Sequence, residues 1–377
     1  MDFDLAEEQR LLLTLAQDFS RDRIVPAAAA FDRSAAFPTE IGQAAQDLGL
    51  LAVTIPQDYG GSGLGVIELT LVAEAFAHGC LGIGTALLLN ALPGDAVALA
   101  GTEAQKARYL RRLAQGEMGS YALTEPGAGS DVAAIATRAR RTAKGYVLNG
   151  GKIWISNAPL ASFFVLFAKT DPEAGVRGIT AFLVERDTPG LAVGAPLGKM
   201  GQRAAPAAEV FLTDVLVPDE AVLGAEGEGF KLAMRVFDRS RPMVAALGVG
   251  VTQRCLDLSV AYAAQRRTMG RPIAQHQAVG HKLAEMRLRL EAARLLTRQA
   301  AWLADKGRNN TVAAASAKAF ACDTAMWAAS ETIQIFGGMG YSTDLPPEKL
   351  FRDAKVLQIY EGTSEIQRNI ILRETLR

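Results

Sequence analysis

The sequence predicts a mainly α-helical protein with a β-domain inserted between two helical domains. Three changes of texture carry this expectation: helix-period apolar spacing up to about residue 118, short β-rich runs from 119 to 227, and long helical stretches from 228 to 377. At 377 residues the chain exceeds what one core usually supports, so domains of 1–118, 119–227 and 228–377 are expected.

In the first zone, "EEQRLLLTLAQDFSRDRI", "TEIGQAAQDLGLLAV", "GVIELTLVAEAFAHG" and "GTEAQKARYLRRLAQG" each place apolar residues three and four apart and most close near glycine. The cluster "IPQDYGGSGLG" separates the second from the third. In the second zone, "YVLNGGKIWISN" sets Asn149-Gly150 between β-prone flanks, which predicts a hairpin turn because both turn positions favour positive φ. "FFVLFAKT", "GITAFLVERD" and "EVFLTDVLVP" continue the strand pattern. In the third zone, Val244, Leu247, Val251, Cys255 and Leu258 share one helix face, as do Val279, Leu283, Met286, Leu290 and Ala293. An Ala-rich helix is expected from an Asn309 or Asn310 cap to a stop at Gly337-Gly338.

Composition narrows the function. Forty basic residues balance forty acidic ones without a basic stripe, which argues against a polyanion-binding or membrane-surface protein. Cys80, Cys255 and Cys322 are widely spaced in apolar surroundings and read as core residues of a protein in a reducing compartment. The start, "MDFDLAEEQRLLLTLAQDFSRD", is acidic and amphipathic and lacks a signal-peptide pattern, and no apolar run is expected to reach a membrane span. A cytoplasmic enzyme is the expectation. A Rossmann fingerprint and a Walker loop are missing, since "GVGVTQ" lies inside a helix pattern, and His78, His276 and His281 form no zinc motif.

Three stretches suggest chemistry. "YALTEPGAGSD" (121–131) gathers hydroxyls and closely approachable backbone N–H groups, which suits a flat polar ring system or a pyrophosphate. "KIWISN" puts Trp154 and Ser156 on alternate strand positions, expected on one face as packing or as the wall of a ring cofactor. In "QIYEGTSEIQRNI", Ser364 and Gln367 have capping-box spacing, so Glu361-Gly362 is expected in the turn that feeds a helix starting near Ser364.

Taken with "GKMGQR", "VPDEAVLG", "GEGFKLAM", "RSRPMVAA", "QRRTMGRPI", "QHQA", "QIFGGMGY" and "EKLFRDAK", these motifs run collinearly over essentially the whole chain, which resembles the acyl-CoA dehydrogenases of the short- to medium-chain, FAD-dependent type. The resemblance implies an N-terminal helical domain, a central β-barrel or sandwich domain and a C-terminal four-helix bundle, with FAD between the last two. It implies cofactor contacts from Tyr121, Leu123, Thr124, Gly129, Ser130, Trp154, Ile155, Ser156, Thr363 and Glu365. Arg266, Thr268, Gln277, Gln334, Gly337 and Gly338 would serve the ADP end of a neighbouring subunit's FAD, hence a homotetramer built as a dimer of dimers.

By the same resemblance Glu361 is the base that takes the α-proton of an acyl-CoA thioester while a β-hydride passes to the flavin. Desolvation is expected to raise its pKa, against the pull of the nearby helix N-terminus. Ser130, Asp238, Arg241 and Arg373 match positions that contact CoA, Tyr360 and Val244 flank the acyl chain, Gly362 is a further substrate-binding position, and Gly84 and Leu88 floor the acyl pocket. Gly84 and Leu88 suggest a deeper, wider or more apolar pocket, and "AAPAAEV" (204–210) departs from the usual serine-containing stretch. Electron-transfer flavoprotein is the implied acceptor. The alternatives are an oxidase, a desulfinase or a two-component monooxygenase on the same scaffold, or a non-catalytic flavin-binding interaction protein.

Overall fold

A computed structural model describes residues 4–376 of the chain, so the first three residues of the acidic N-terminal segment lie outside the described residues. Among the described residues the N-terminal part holds seven α-helices: α1 (Glu7–Phe19), α2 (Val25–Ser34), α3 (Thr39–Asp47), α4 (Val66–Gly79), α5 (Leu81–Leu88), α6 (Ala91–Ala100) and α7 (Glu103–Ala114). One π-helical turn, Ser20–Ile24, joins α1 to α2. The helices α5 and α6 escape periodicity because they are apolar all round, as buried helices are.

The central part is a mixed sheet ordered β6-β7-β3-β2-β4-β5-β8, built from β2 (Arg138–Thr142), β3 (Gly145–Ser156), β4 (Phe163–Lys169), β5 (Ile179–Glu185), β6 (Leu191–Val193), β7 (Ala207–Val217) and β8 (Val222–Leu223), with β1 (Gly119–Ala122) parallel to β4. Along β4, Phe163, Val165 and Phe167 enter the helical core, whereas Phe164, Leu166 and Ala168 enter a second core inside the sheet. Burial on both faces explains the uninterrupted apolar run "FFVLFA".

The expected hairpin at Asn149-Gly150 does not form. The strand β3 runs straight through the pair, the turn lies at Ala143-Lys144, and the register against β7 shifts between Leu148 and Gly150. The Asn149 amide and Asp214 exchange two hydrogen bonds across this bulge, so the positive-φ preference serves a bulge rather than a turn.

From Gly229 the chain is helical: α8 (Gly229–Gln265), α9 (Gln277–Asp305), α10 (Thr311–Phe336), α11 (Pro347–Ala354) and α12 (Ser364–Thr375). The helices α8, α9 and α10 pack together, and α12 lies against α10 as the fourth member. Between α8 and α9, β9 (Arg267–Thr268) and β10 (Arg271–Pro272) form a small hairpin. Asn310 stands at the N-cap of α10, but it is Asn309 Oδ1 that accepts the Thr311 N–H. Asn310 is spent elsewhere. Pro242 inside α8 has no N–H for the Asp238 carbonyl, and Asn310 Nδ2 donates to that carbonyl at 2.6 Å.

All three cysteines are buried and free. Contrary to the expectation, two stretches, Leu81–Ala100 and Gly229–Gln265, are long and apolar enough to cross a membrane, although most of each is buried in the fold. Among the described residues no cluster of His, Cys, Asp and Glu could hold a metal ion.

Candidate active site

The site is built around the turn between α11 and α12. Glu361 (φ 53°) and Gly362 (φ 91°) are both left-handed, a conformation glycine adopts freely and glutamate rarely. Glycine is required at 362 for a second reason, since a Cβ there would meet Gln367 Nε2 at 2.6 Å. Donors on the two carbonyls hold the strained turn: Lys318 Nζ to Gly362 O at 2.6 Å, and Gln367 Nε2 to Glu361 O and Gly362 O at 3.0 and 2.9 Å. The expected capping box is therefore absent. Thr363 caps α12 by accepting from the Ile366 N–H, while Ser364 Oγ turns to Asp323 at 2.7 Å. Asp323 also accepts from Gln358 and Arg368, which secures both flanks of the turn to α10.

The Glu361 carboxylate reaches α8, where Ser240 Oγ donates to its Oε2 at 2.5 Å. Burial pushes the Glu361 pKa above the ordinary range, and Ser240, Arg241 and Lys318 only partly oppose it. Asp95 on α6 adds a further upward push from its buried pair with Arg239, whose Nε lies 3.0 Å away. Among the described residues, the Glu361 N–H donates to no backbone carbonyl or side chain and is free for a ligand. Arg241 is buried, paired with Asp238 at 3.1 Å, and 3.4 Å from Glu361 O. It faces the Glu361 turn rather than forming a surface ion pair. Asp238 also accepts from Thr311 Oγ1, and burial raises its pKa, with Arg373 close enough to oppose the rise.

Tyr121 packs on Phe167 and Phe237, and its buried hydroxyl has no partner. Burial raises its pKa, and so does the charge of Glu361. The Tyr360 hydroxyl is buried beside Thr85 and Gln202, and Val244 and Leu88 are buried. A Cβ at Gly84 would meet Phe76 Cβ at 3.2 Å and Ala77 N at 3.3 Å, so its missing side chain serves the packing of α5 on α4.

The loop after β1 lies beside β3, fastened by Ile153 N to Thr124 O at 3.0 Å. The simple alternation expected of Trp154 and Ser156 fails, because a second bulge between Lys152 and Ile155 puts Trp154 at φ 60°. Trp154 is not a buried indole; it is 54% exposed, while Ile155 enters the sheet core. A half-exposed indole beside the partly exposed Thr124 and Ser156, with open space at Gly127 and Gly129 and an orphaned Tyr121 hydroxyl, fits a flat polar ring system. Ser130 and Glu365 are exposed.

Family models for the acyl-CoA dehydrogenase N-terminal, middle and C-terminal domains match residues 6–117, 120–215 and 227–376. The chain belongs to the acyl-CoA dehydrogenase family. These are FAD-dependent oxidoreductases, and the fold described above is that of the family. The chain is 42% identical to the probable medium-chain specific acyl-CoA dehydrogenase 2 of Caenorhabditis briggsae, covering 100% of this chain and 92% of the relative. It is 40% identical to the short-chain specific acyl-CoA dehydrogenase of Rattus norvegicus, covering 99% and 91%. Butyryl-CoA dehydrogenase of Megasphaera elsdenii superposes with a TM-score of 0.97 at 39% identity, covering all of both chains. A chain from the structure described as electron transferring flavoprotein of Acidaminococcus fermentans, towards a mechanism of flavin-based electron bifurcation, gives the same TM-score, identity and coverage. PigA, solved as an FAD complex, is 31% identical with a TM-score of 0.96, covering 100% and 99%.

For an acyl-CoA dehydrogenase the remaining candidate residues lie informatively far away. Arg266, Thr268, Gln277, Gln334, Gly337 and Gly338 are all exposed, gathered where Tyr262 stacks on Phe336 at 4.0 Å. Arg266, at the C-cap of α8, lies 26 positions after Ser240, roughly 39 Å along the helix at about 1.5 Å per residue. Sequence reasoning missed Ser240, Lys318, Asp323 and the Asp95–Arg239 pair. Lys318 alone left a signal, as the single cation in the Ala-rich "AAASAKAFA".

Proposed function

We propose that the chain is an acyl-CoA dehydrogenase that converts a short- to medium-chain acyl-CoA, straight or branched, to the trans-2-enoyl-CoA, with Glu361 as the α-proton base. The observation that carries this reading is a carboxylate with raised pKa, held in a left-handed turn, bonded to Ser240 and close enough to the unpartnered Tyr121 hydroxyl to raise its pKa. A thioester α-C–H is too weak an acid for an ordinary exposed carboxylate. The base must be desolvated and the carbonyl polarised by fixed donors, and the free Glu361 N–H is such a donor. The buried Val244 and Leu88 side chains exclude water from the acyl chain, and Arg241, Asp238 and Arg373 offer polar contacts toward CoA. FAD, held by Tyr121 to Ser130 and Trp154 to Ser156, would supply the hydride acceptor.

The separation of roughly 39 Å along α8, at about 1.5 Å per residue, between Ser240 beside Glu361 and Arg266 argues that one chain cannot serve both ends of the same cofactor. That supports FAD binding across a subunit interface in a homotetramer. The exposed Met269 (93%) and Tyr341 (83%) beside the ADP-end residues fit a covered surface. On this reading the enzyme is cytoplasmic, works in fatty acid β-oxidation, and passes electrons to electron-transfer flavoprotein.

The test is an anaerobic visible titration of the purified protein with acyl-CoAs of increasing chain length. Bleaching of the oxidised flavin band by one length class supports the reading and assigns the substrate. A yellow protein that no acyl-CoA bleaches overturns it in favour of other flavin chemistry, and rapid reoxidation by oxygen would make it an oxidase.

A further inference from the structure

Glu125 and Lys152 form a charged pair outside the Glu361 constellation, with side-chain exposures of 6% and 0% and an Oε1–Nζ distance of 2.6 Å. Two buried charges are costly unless each is paired and hydrogen-bonded, and here every further bond goes to one loop. Lys152 Nζ donates to Leu123 O at 3.2 Å. The Glu125 carboxylate accepts from the Ala136 N–H at 2.5 Å and the Thr137 N–H at 3.1 Å, and Glu125 and Ala128 exchange backbone hydrogen bonds. One carboxylate thus closes both ends of the segment 125–137 and fastens it to β3 two residues before Trp154. Burial pushes the Lys152 pKa down to about 8 against the pull of Glu125. Burial alone would raise Glu125, but Lys152, Thr137 and Ala136 together hold it below the ordinary range.

We infer that the Glu125–Lys152 pair is the positioning device of the cofactor cleft, setting Leu123 to Ser130 against Trp154 to Ser156 before the flavin arrives. The inference rests on the FAD reading above. Both are positioning residues, since their polar atoms are consumed within the protein. A pair kept for stability alone is replaceable by neutral groups of similar volume with little loss, whereas a pair kept for positioning is not.

The experiment titrates the full-length apo-protein with FAD, following flavin fluorescence and absorption, for wild type, Lys152→Met and Glu125→Gln/Lys152→Met. The double variant removes both charges while keeping an acceptor for the Ala136 and Thr137 N–H groups. Its melting temperature should stay near that of wild-type apo-protein while FAD binding weakens by about tenfold or more, as the competent loop becomes a minor population. Wild-type FAD affinity and spectrum in the folded double variant would overturn the inference. Independently of any variant, amides of 123–137 should resist hydrogen exchange in wild-type apo-protein, and rapid exchange there would overturn it too. Failure of the wild type to take up FAD would instead sink the FAD reading.

Discussion

The Ser240 hydroxyl donates to Glu361 Oε2 at 2.5 Å, linking the candidate base to α8 across 121 positions of sequence. A donor to the ionised form lowers a carboxyl pKa, so this bond offsets part of the rise that burial imposes. In Ser240→Ala the Glu361 pKa should rise further. The acid limb of the kcat pH profile should move up by about one to two units, since a hydrogen bond to a charged group contributes roughly 1.5–3 kcal/mol and one unit corresponds to about 1.4 kcal/mol. An unmoved limb would remove Ser240 from the tuning of the base.

Glu361→Gln preserves shape while abolishing the base. It should keep bound flavin and reduce the rate of flavin bleaching by acyl-CoA at least about 10²-fold. Stopped-flow absorbance measures this directly, and retained turnover would take Glu361 out of the mechanism.

Lys318 holds the Gly362 carbonyl and so keeps Glu361 at positive φ. Lys318→Met should lower kcat by about tenfold or more by letting the turn relax. It removes a buried cation whose pKa burial already lowers, so its effect on melting temperature should be small. A variant with full kcat would show that Gln367 alone suffices to hold the turn.

Asp323 is partly buried, which would raise its pKa, but donors from Arg368, Ser364 and Gln358 outweigh that and depress it. A depressed carboxyl stabilises the fold above its unfolded pKa of about 3.9, and the contribution is lost as pH falls through the lower folded value. Thermal unfolding between neutral and acid pH should therefore show a steeper acid decline in wild type than in Asp323→Asn. Equal slopes would refute the anchoring role.

If Arg266 serves the neighbouring subunit's FAD, Arg266→Ala should weaken FAD retention while leaving Glu361 chemistry intact. Hybrids made by refolding Arg266→Ala with Glu361→Gln chains should regain activity in sites that pair an intact Glu361 with an intact neighbouring Arg266. Hybrids no more active than either parent would argue that each chain completes its own site.

Much of the fold was legible because burial writes period into sequence. The spacing along α8 and α9, the alternation of β7 and the stop of α10 at Gly337 (φ 62°) are local consequences of one buried face or one left-handed residue, while β4 and β5, buried on both faces, were legible as short apolar runs between turn residues. Where both faces are buried the period vanishes, which is why α5 and α6 went unread.

The sequence by itself determined the order of helical, β and helical parts, the family, and the turn that carries Glu361. Only the tertiary structure decided how that turn works. Asn149-Gly150 makes a bulge because β7 supplies a partner strand, and Trp154 faces outward because a second bulge breaks the alternation. Lys318, Ser240 and Asp323 become parts of the site because α8 and α10 bring them to residue 361 from 38 to 121 positions away. Local preference acts over a few residues, whereas the pKa and strain of Glu361 are set by groups that only packing places beside it.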